Sequence, residues 1–227
     1  MTKEPEWDQD FTKKTLLDRL HLSVQEISEL GMGWIITSFI LLYLYGLIEV
    51  VLQEGRIPSD FLIFLFIWGI SFFAHELSHK FVAIKYGARA HYKLSKEMLI
   101  LALVSIIIGF PILATGAVFW WGEASTSPGI RGRVSASGPI INFILSGMFL
   151  FLVGIGLLFD ISLLVRIGIV GVWLNVFIGV FNLLPIGVLD GAKVLAWDPK
   201  IWISLIGSLL VIGFFGEGFI PFLGFLF

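Results

Sequence analysis

Long apolar runs, broken at intervals by short polar patches, set the pattern of this chain. Residues 34–52, 61–74 and on past a polar patch, 140–159 and 162–184 are of the length and character that carry a helix across a bilayer core, which takes ~20 apolar residues. The first run predicts a span from about Gly33 to Gln53. The loop EGRIPSD after it offers Ser59 or Asp60 as the cap of a second span, from about Phe61 to Tyr86. Two further long helices are predicted near 135–159 and 162–186. A last apolar run, 201–227, is interrupted at Gly216, Glu217 and Gly218. Ahead of all these, Leu16, Leu17, Leu20, Val24 and Ile27 recur at three and four residues among Lys3, Lys13, Lys14 and Arg19. That spacing predicts an amphipathic helix lying on a membrane surface.

Between the second and third runs the pattern is ambiguous. Residues 87–96 read as a basic, amphipathic connection, and 97–121 read EMLILALVSIIIGFPILATGAVFWW. The latter is either one span, or a segment broken at Gly109, Phe110 and Pro111 into a re-entrant hairpin or a helix followed by a β-like stretch. Non-helical backbone at membrane depth is tolerated only where protein covers it. The expected architecture is an all-α polytopic membrane protein of about five to six transmembrane helices with a re-entrant or short β-like membrane segment. An N-terminal amphipathic, cytoplasmic or interfacial segment over 1–31 precedes a single membrane-embedded domain over 32–227.

Composition agrees: 57% of the 227 residues are hydrophobic and only 14% charged, which excludes an ordinary soluble domain. A net charge of −2 gives no footprint for nucleic acid. The absence of cysteine removes disulfides, thiolate ligands and cysteine nucleophiles together. No small-residue cleavage site precedes residue 50, so a removable signal peptide is not expected.

Against this background the stretch FFAHELSHKF, residues 72–81, is chemically costly. An ionisable residue within a span costs ~2.5–3.5 kcal/mol on insertion scales and marks function by default. His75, Glu76 and His79 read H-E-x-x-H, and on a helix the i to i+4 spacing sets both imidazoles on one face, one turn apart. That is the geometry of two ligands on one zinc ion, with Glu76 reaching the water on the metal rather than the metal itself. A pore lining, a proton relay or a polar contact between helices would also account for three such residues. A metal site needs a third protein ligand. Asp190 is a candidate, placed after an apolar helix that Pro185 and Gly187 should kink or unwind. Its alternative is an ordinary turn or capping role before Gly191. His21 and His91 read as surface or interfacial residues, not ligands, and Trp120 and Trp121 as belt residues at a membrane interface.

Three stretches together, HELSH at 75–79, SGPIIN at 137–142 and NLLPIGVLDG at 182–191, resemble the site-2 protease family of intramembrane zinc metalloproteases. The likeness anchors roughly residues 60–195. It implies one zinc ion per chain on His75, His79 and Asp190, Glu76 as the base, and Asn182 as a residue that holds substrate near the metal. It implies as substrate a single-span membrane protein, cut within a transmembrane helix, with an upstream site-1-type protease or a regulatory partner controlling access. Ser78 and Ala192 depart from the family, where glycine is common. A membrane metal carrier and a non-cleaving binder of transmembrane segments are the rival functions. Glu76 argues against the carrier, which gains nothing from a base beside a ligand.

A shared metal requires His75 and Asp190 at similar depth. If 97–121 enters and returns, both arrive on one side. Lys3, Lys13, Lys14, Arg19, Lys80, Lys85, Arg89, Lys93, Lys96, Arg131, Arg133, Lys193 and Lys200 then face the cytoplasm, against Arg56 and Arg166 outside. A full span there weakens that bias. From Phe61 to His75 is 14 residues, or ~21 Å of a ~30 Å core. The expected site therefore lies within the cell membrane nearer the cytoplasmic side, with the N-terminus cytoplasmic and the broken segment around 109–122 walling a water channel. Its Ala114–Val118 stretch would offer a strand edge to an unwound substrate.

Overall fold

A computed structural model describes residue 20 and residues 22–55, 57, 59–109, 111–113 and 115–215. Most of the amphipathic helix expected over 1–31, and the interruption expected at 216–218, lie outside the described residues. The fold is that of an all-α polytopic membrane protein. Among the described residues, four helices are long and apolar enough to cross a membrane, and Pro199–Phe214 is a shorter apolar one.

Helix α1 is Val24–Leu44, started by Ser23, whose hydroxyl accepts from the Glu26 N–H at 3.1 Å. It begins well ahead of the expected Gly33 and stops at Tyr45, where Gly46 takes a left-handed φ of 68° and restarts the chain as the short α2, Leu47–Glu54. Helix α3, Ser59–Lys85, carries the H-E-x-x-H stretch.

Residues 97–121 are not a span. Strand β1, Arg89–Leu94, leads into α4, Lys96–Ile108, capped by Ser95 and ended by Gly109 at φ 74°. Strand β2, Gly116–Trp121, then returns antiparallel to β1, with Arg89 opposite Trp121 and Leu94 opposite Gly116. A full crossing would separate Arg89 from Trp121 by a bilayer thickness of ~30 Å; instead they are register partners. The "basic connection" is thus a strand, its Ala90, Tyr92 and Leu94 alternating with Arg89, His91 and Lys93 at the period of two that a half-covered strand shows.

Helix α5, Pro128–Leu158, begins under the Ser127 cap and runs antiparallel to α6, Ser162–Asn182. The two approach closely because glycines face the contact. A Cβ on Gly171 would lie 2.2 Å from the Phe149 ring, and one on Gly168 2.8 Å from the Phe149 carbonyl. Small residues are the usual means of tight helix packing where no water drives association. Helices α7, Asp190–Trp197, and α8, Pro199–Phe215, complete the described chain. Trp68 and Phe72 of α3, Tyr92 of β1, and Trp173, Leu174 and Ile178 of α6 form one buried apolar cluster.

Beside that cluster lies a buried ion pair. Glu26 of α1 and Lys80 of α3 meet at 2.6 Å, both almost wholly enclosed. The other Glu26 oxygen accepts from the Tyr92 N–H at 3.0 Å, and Glu29 accepts from the Leu94 N–H at 2.9 Å. Two α1 carboxylates therefore cap the edge of β1 that faces away from β2. Lys80, counted among the basic residues expected on the cytoplasmic side, is thus an internal residue.

Candidate metal centre

His75 and His79 stand one turn apart on α3, both buried. Each ring is held from behind. The His79 Nδ1 lies 2.7 Å from the Val134 carbonyl, which only accepts, so Nδ1 carries the hydrogen. The His75 Nδ1 lies 2.6 Å from Asn142 Oδ1. Both Nε2 atoms are thereby turned forward. They come within 3.2 Å of each other, and within 3.5 Å (His75) and 3.1 Å (His79) of Asp190 Oδ2. One ligand atom from each of the three residues lies within 4.8 Å of the others.

Local sequence explains each placement. Asp190 is the first residue of α7, and Leu189 rather than Asp190 occupies the capping position, so the carboxylate is not used as a cap. The turn before it contains Pro185 and Gly187, and it is pinned where Trp202 Nε1 donates to the Leu183 carbonyl at 2.7 Å. Gly191 is the second constraint: a Cβ there would lie 2.0 Å from the Leu183 carbonyl oxygen, so α7 starts directly on the end of α6. From α5, Gly138 presents bare backbone to the rings, for its Cβ would sit 2.5 Å from His75 Cε1 and from His79 Nε2. Pro139 lies in the same turn and interrupts the α5 hydrogen-bond ladder opposite the histidines.

Glu76 and Asn182 line the same cavity as His75, His79 and Asp190, a space of about 280 Å³. Gly116, Ala117 and Val118 of β2 line it too, so the broken segment does wall this space. Trp120 also turns to the cavity while Trp121 is exposed, which splits the expected pair of belt residues. Asn182 Nδ2 donates to the Ile178 carbonyl at 3.1 Å. His91 stands apart from the cluster, its Nδ1 3.4 Å from Glu26; His21 lies outside the described residues. Ser78, at a position where the resembled family commonly has glycine, donates to the His75 carbonyl at 2.7 Å.

The donor set fits a divalent metal. Two imidazole nitrogens and a carboxylate oxygen converge on one point, where they could hold a cation between them. Two histidines and one carboxylate leave a coordination position open, as hydrolytic zinc sites do. The support behind the rings was not read from the sequence: Ser137, whose Oγ lies 3.3 Å from His79 Nδ1, and Gly138 and Asn142 of α5, all within SGPIIN.

A curated protein of Methanocaldococcus jannaschii, named "Putative zinc metalloprotease", is 39% identical to this chain over 160 residues. The match covers 68% of this chain and 82% of the relative. No protein-family profile matches the chain. No solved structure matches it.

Proposed function

The chain belongs to the zinc metalloprotease family of this archaeal relative, and on that premise we propose that it is an intramembrane endopeptidase of the site-2 protease kind, cutting a transmembrane helix of a single-span membrane protein. The carrying observation is that the Nε2 atoms of His75 and His79 and Oδ2 of Asp190 converge in a cavity that Glu76 also lines, inside a bundle of membrane-length helices. One zinc ion per chain is held by those three residues. When bound, zinc supplies Lewis acidity, which polarises a carbonyl and acidifies water. Glu76 takes the proton from the attacking water and hands it to the leaving amide nitrogen. Asn182 offers its side-chain oxygen to a substrate N–H. Because the Tyr92 and Leu94 N–H groups of β1 are taken by Glu26 and Glu29, an unwound substrate pairs with the other edge of the hairpin, along β2, where the cavity lies.

The basic residues and the pairing of Arg89 with Trp121 support a multi-pass protein of the cell membrane, N-terminus cytoplasmic, its site nearer the cytoplasmic side. An upstream site-1-type protease or regulatory partner would control substrate access. The test is purified protein in liposomes, assayed for zinc and for cleavage of a panel of single-span substrates. Zinc without cleavage of any of them would point to the carrier or the binder instead.

A further inference from the structure

Asn175 sits in the middle of α6, wholly buried, and the chemistry above does not use it. Its Nδ2 donates to the Gly171 carbonyl at 2.8 Å and to Ser71 Oγ at 2.9 Å. A carbonyl only accepts, and Ser71 gives its own hydrogen to the Ile67 carbonyl at 2.8 Å. The Asn175 amide therefore cannot turn round without setting its oxygen against the Gly171 carbonyl and drawing the Ser71 hydrogen away from Ile67. Its Oδ1 must face Asn142, accepting from Nδ2 at 3.0 Å. That leaves Asn142 Oδ1 for His75 Nδ1, at 2.6 Å. An oxygen there requires the hydrogen on Nδ1, so the lone pair of His75 falls on Nε2, on the side of Asp190.

We propose that Asn175 is a positioning residue of the metal site: through Asn142 it dictates which nitrogen of His75 carries hydrogen and so presents Nε2 as a ligand. This rests on the reading of His75 as a ligand. His79 needs no such device, because its partner is a backbone carbonyl. The partner of His75 is an amide, which can donate or accept equally well, and it takes its direction only from a third group. Ser71, Asn142 and Asn175 are each 0% exposed, so no water enters to reverse the chain. The polarity runs from a carbonyl of α6, through α5, to a ring on α3.

The test is zinc affinity, measured by competition with a chromogenic chelator. Asn175→Leu keeps bulk and removes direction, and affinity should fall ~10–100-fold, the usual cost of losing an outer partner of a ligand. In the double variant Asn142→Asp with Asn175→Leu, a carboxylate accepts from Nδ1 whichever way it turns, so affinity should return to within a few-fold of the unmodified protein. A packing role for Asn175 predicts no such recovery. Unchanged affinity in Asn175→Leu, or a loss that Asn142→Asp fails to restore, overturns the proposal. Should the variants not fold, nitrogen NMR of the histidine-labelled, metal-free unmodified protein decides, at a pH where imidazole is neutral. Hydrogen on His75 Nδ1 is expected, and hydrogen on Nε2 overturns it. Failure of the unmodified protein to bind zinc would instead refute the metal site itself.

Discussion

The Nε2 atoms of His75 and His79 stand 3.2 Å apart and face the same oxygen of Asp190. Three ligand atoms in that relation are set to share one cation. Purified protein should carry about one zinc per chain, and His75→Ala or His79→Ala should abolish it, measured by atomic emission. Chelation should lower thermal stability, since a ligand at a thousand times its Kd contributes about 4 kcal/mol. Full occupancy in either alanine variant would refute the site.

Glu76 is proposed as a base and not a ligand. Glu76→Gln keeps size and shape, so zinc should stay while hydrolysis falls by ~10²–10⁴, the usual share of general acid-base catalysis. Asp190→Asn should lower metal affinity as well, because an amide oxygen is a poorer zinc ligand. Cleavage by Glu76→Gln at the unmodified rate would sink the mechanism.

Gly138 gives a steric test. The methyl of Gly138→Ala would enter the space of both rings at 2.5 Å, and overpacking of that kind costs about 1–3 kcal/mol. Relieved by displacing the rings, this is roughly tenfold to hundredfold in metal affinity. Gly147→Ala in the same helix, with nothing within 4 Å of its Cβ, is the control and should bind zinc normally. Equal affinity in the two variants would show that the rings do not depend on the bare backbone.

Topology can be read by thiol labelling, because the chain has no cysteine. Thr126, Asp160 and Lys200 are exposed. Cysteines at 126 and 200 should label from the cytoplasmic side and one at 160 from the other. Labelling of 126 or 200 from the outside only would contradict the re-entrant path.

The spans and the ligand spacing were legible because they are periodic: apolar runs of bilayer length, and imidazoles four residues apart on one helix. Asp190 was legible only as a candidate from Pro185 and Gly187, which break the helix before it; on the local sequence alone a turn or capping role was the stronger reading, and the resemblance of NLLPIGVLDG set it on the metal. Strand β1 hid behind its charges; the alternation from Arg89 to Leu94 is the signal that would have revealed it. Asn142 lay within a stretch that was noticed, yet its role needs the neighbour on another helix. Asn175 and Glu26 were invisible in the same way. A single polar residue in an apolar or amphipathic run carries no period, and its partners lie far off in sequence, 33 and 104 residues away for Asn175 and 54 for Glu26.

The ion pair of Glu26 and Lys80 bears on orientation as well as on cohesion. Lys80 follows His79 directly, and successive residues on a helix project about 100° apart. Helix α3 is therefore gripped along two headings, by α5 through the histidines and by α1 through the lysine. In lipid, where a cylinder of apolar side chains is free to spin about its own axis, two grips at an angle act as a keel and hold the imidazoles on bearing. One residue inserted between His79 and Lys80 would swing the two grips out of phase and leave no rotation of α3 that satisfies both. The same insertion in the turn at Tyr45 and Gly46 would leave the heading of the rings untouched.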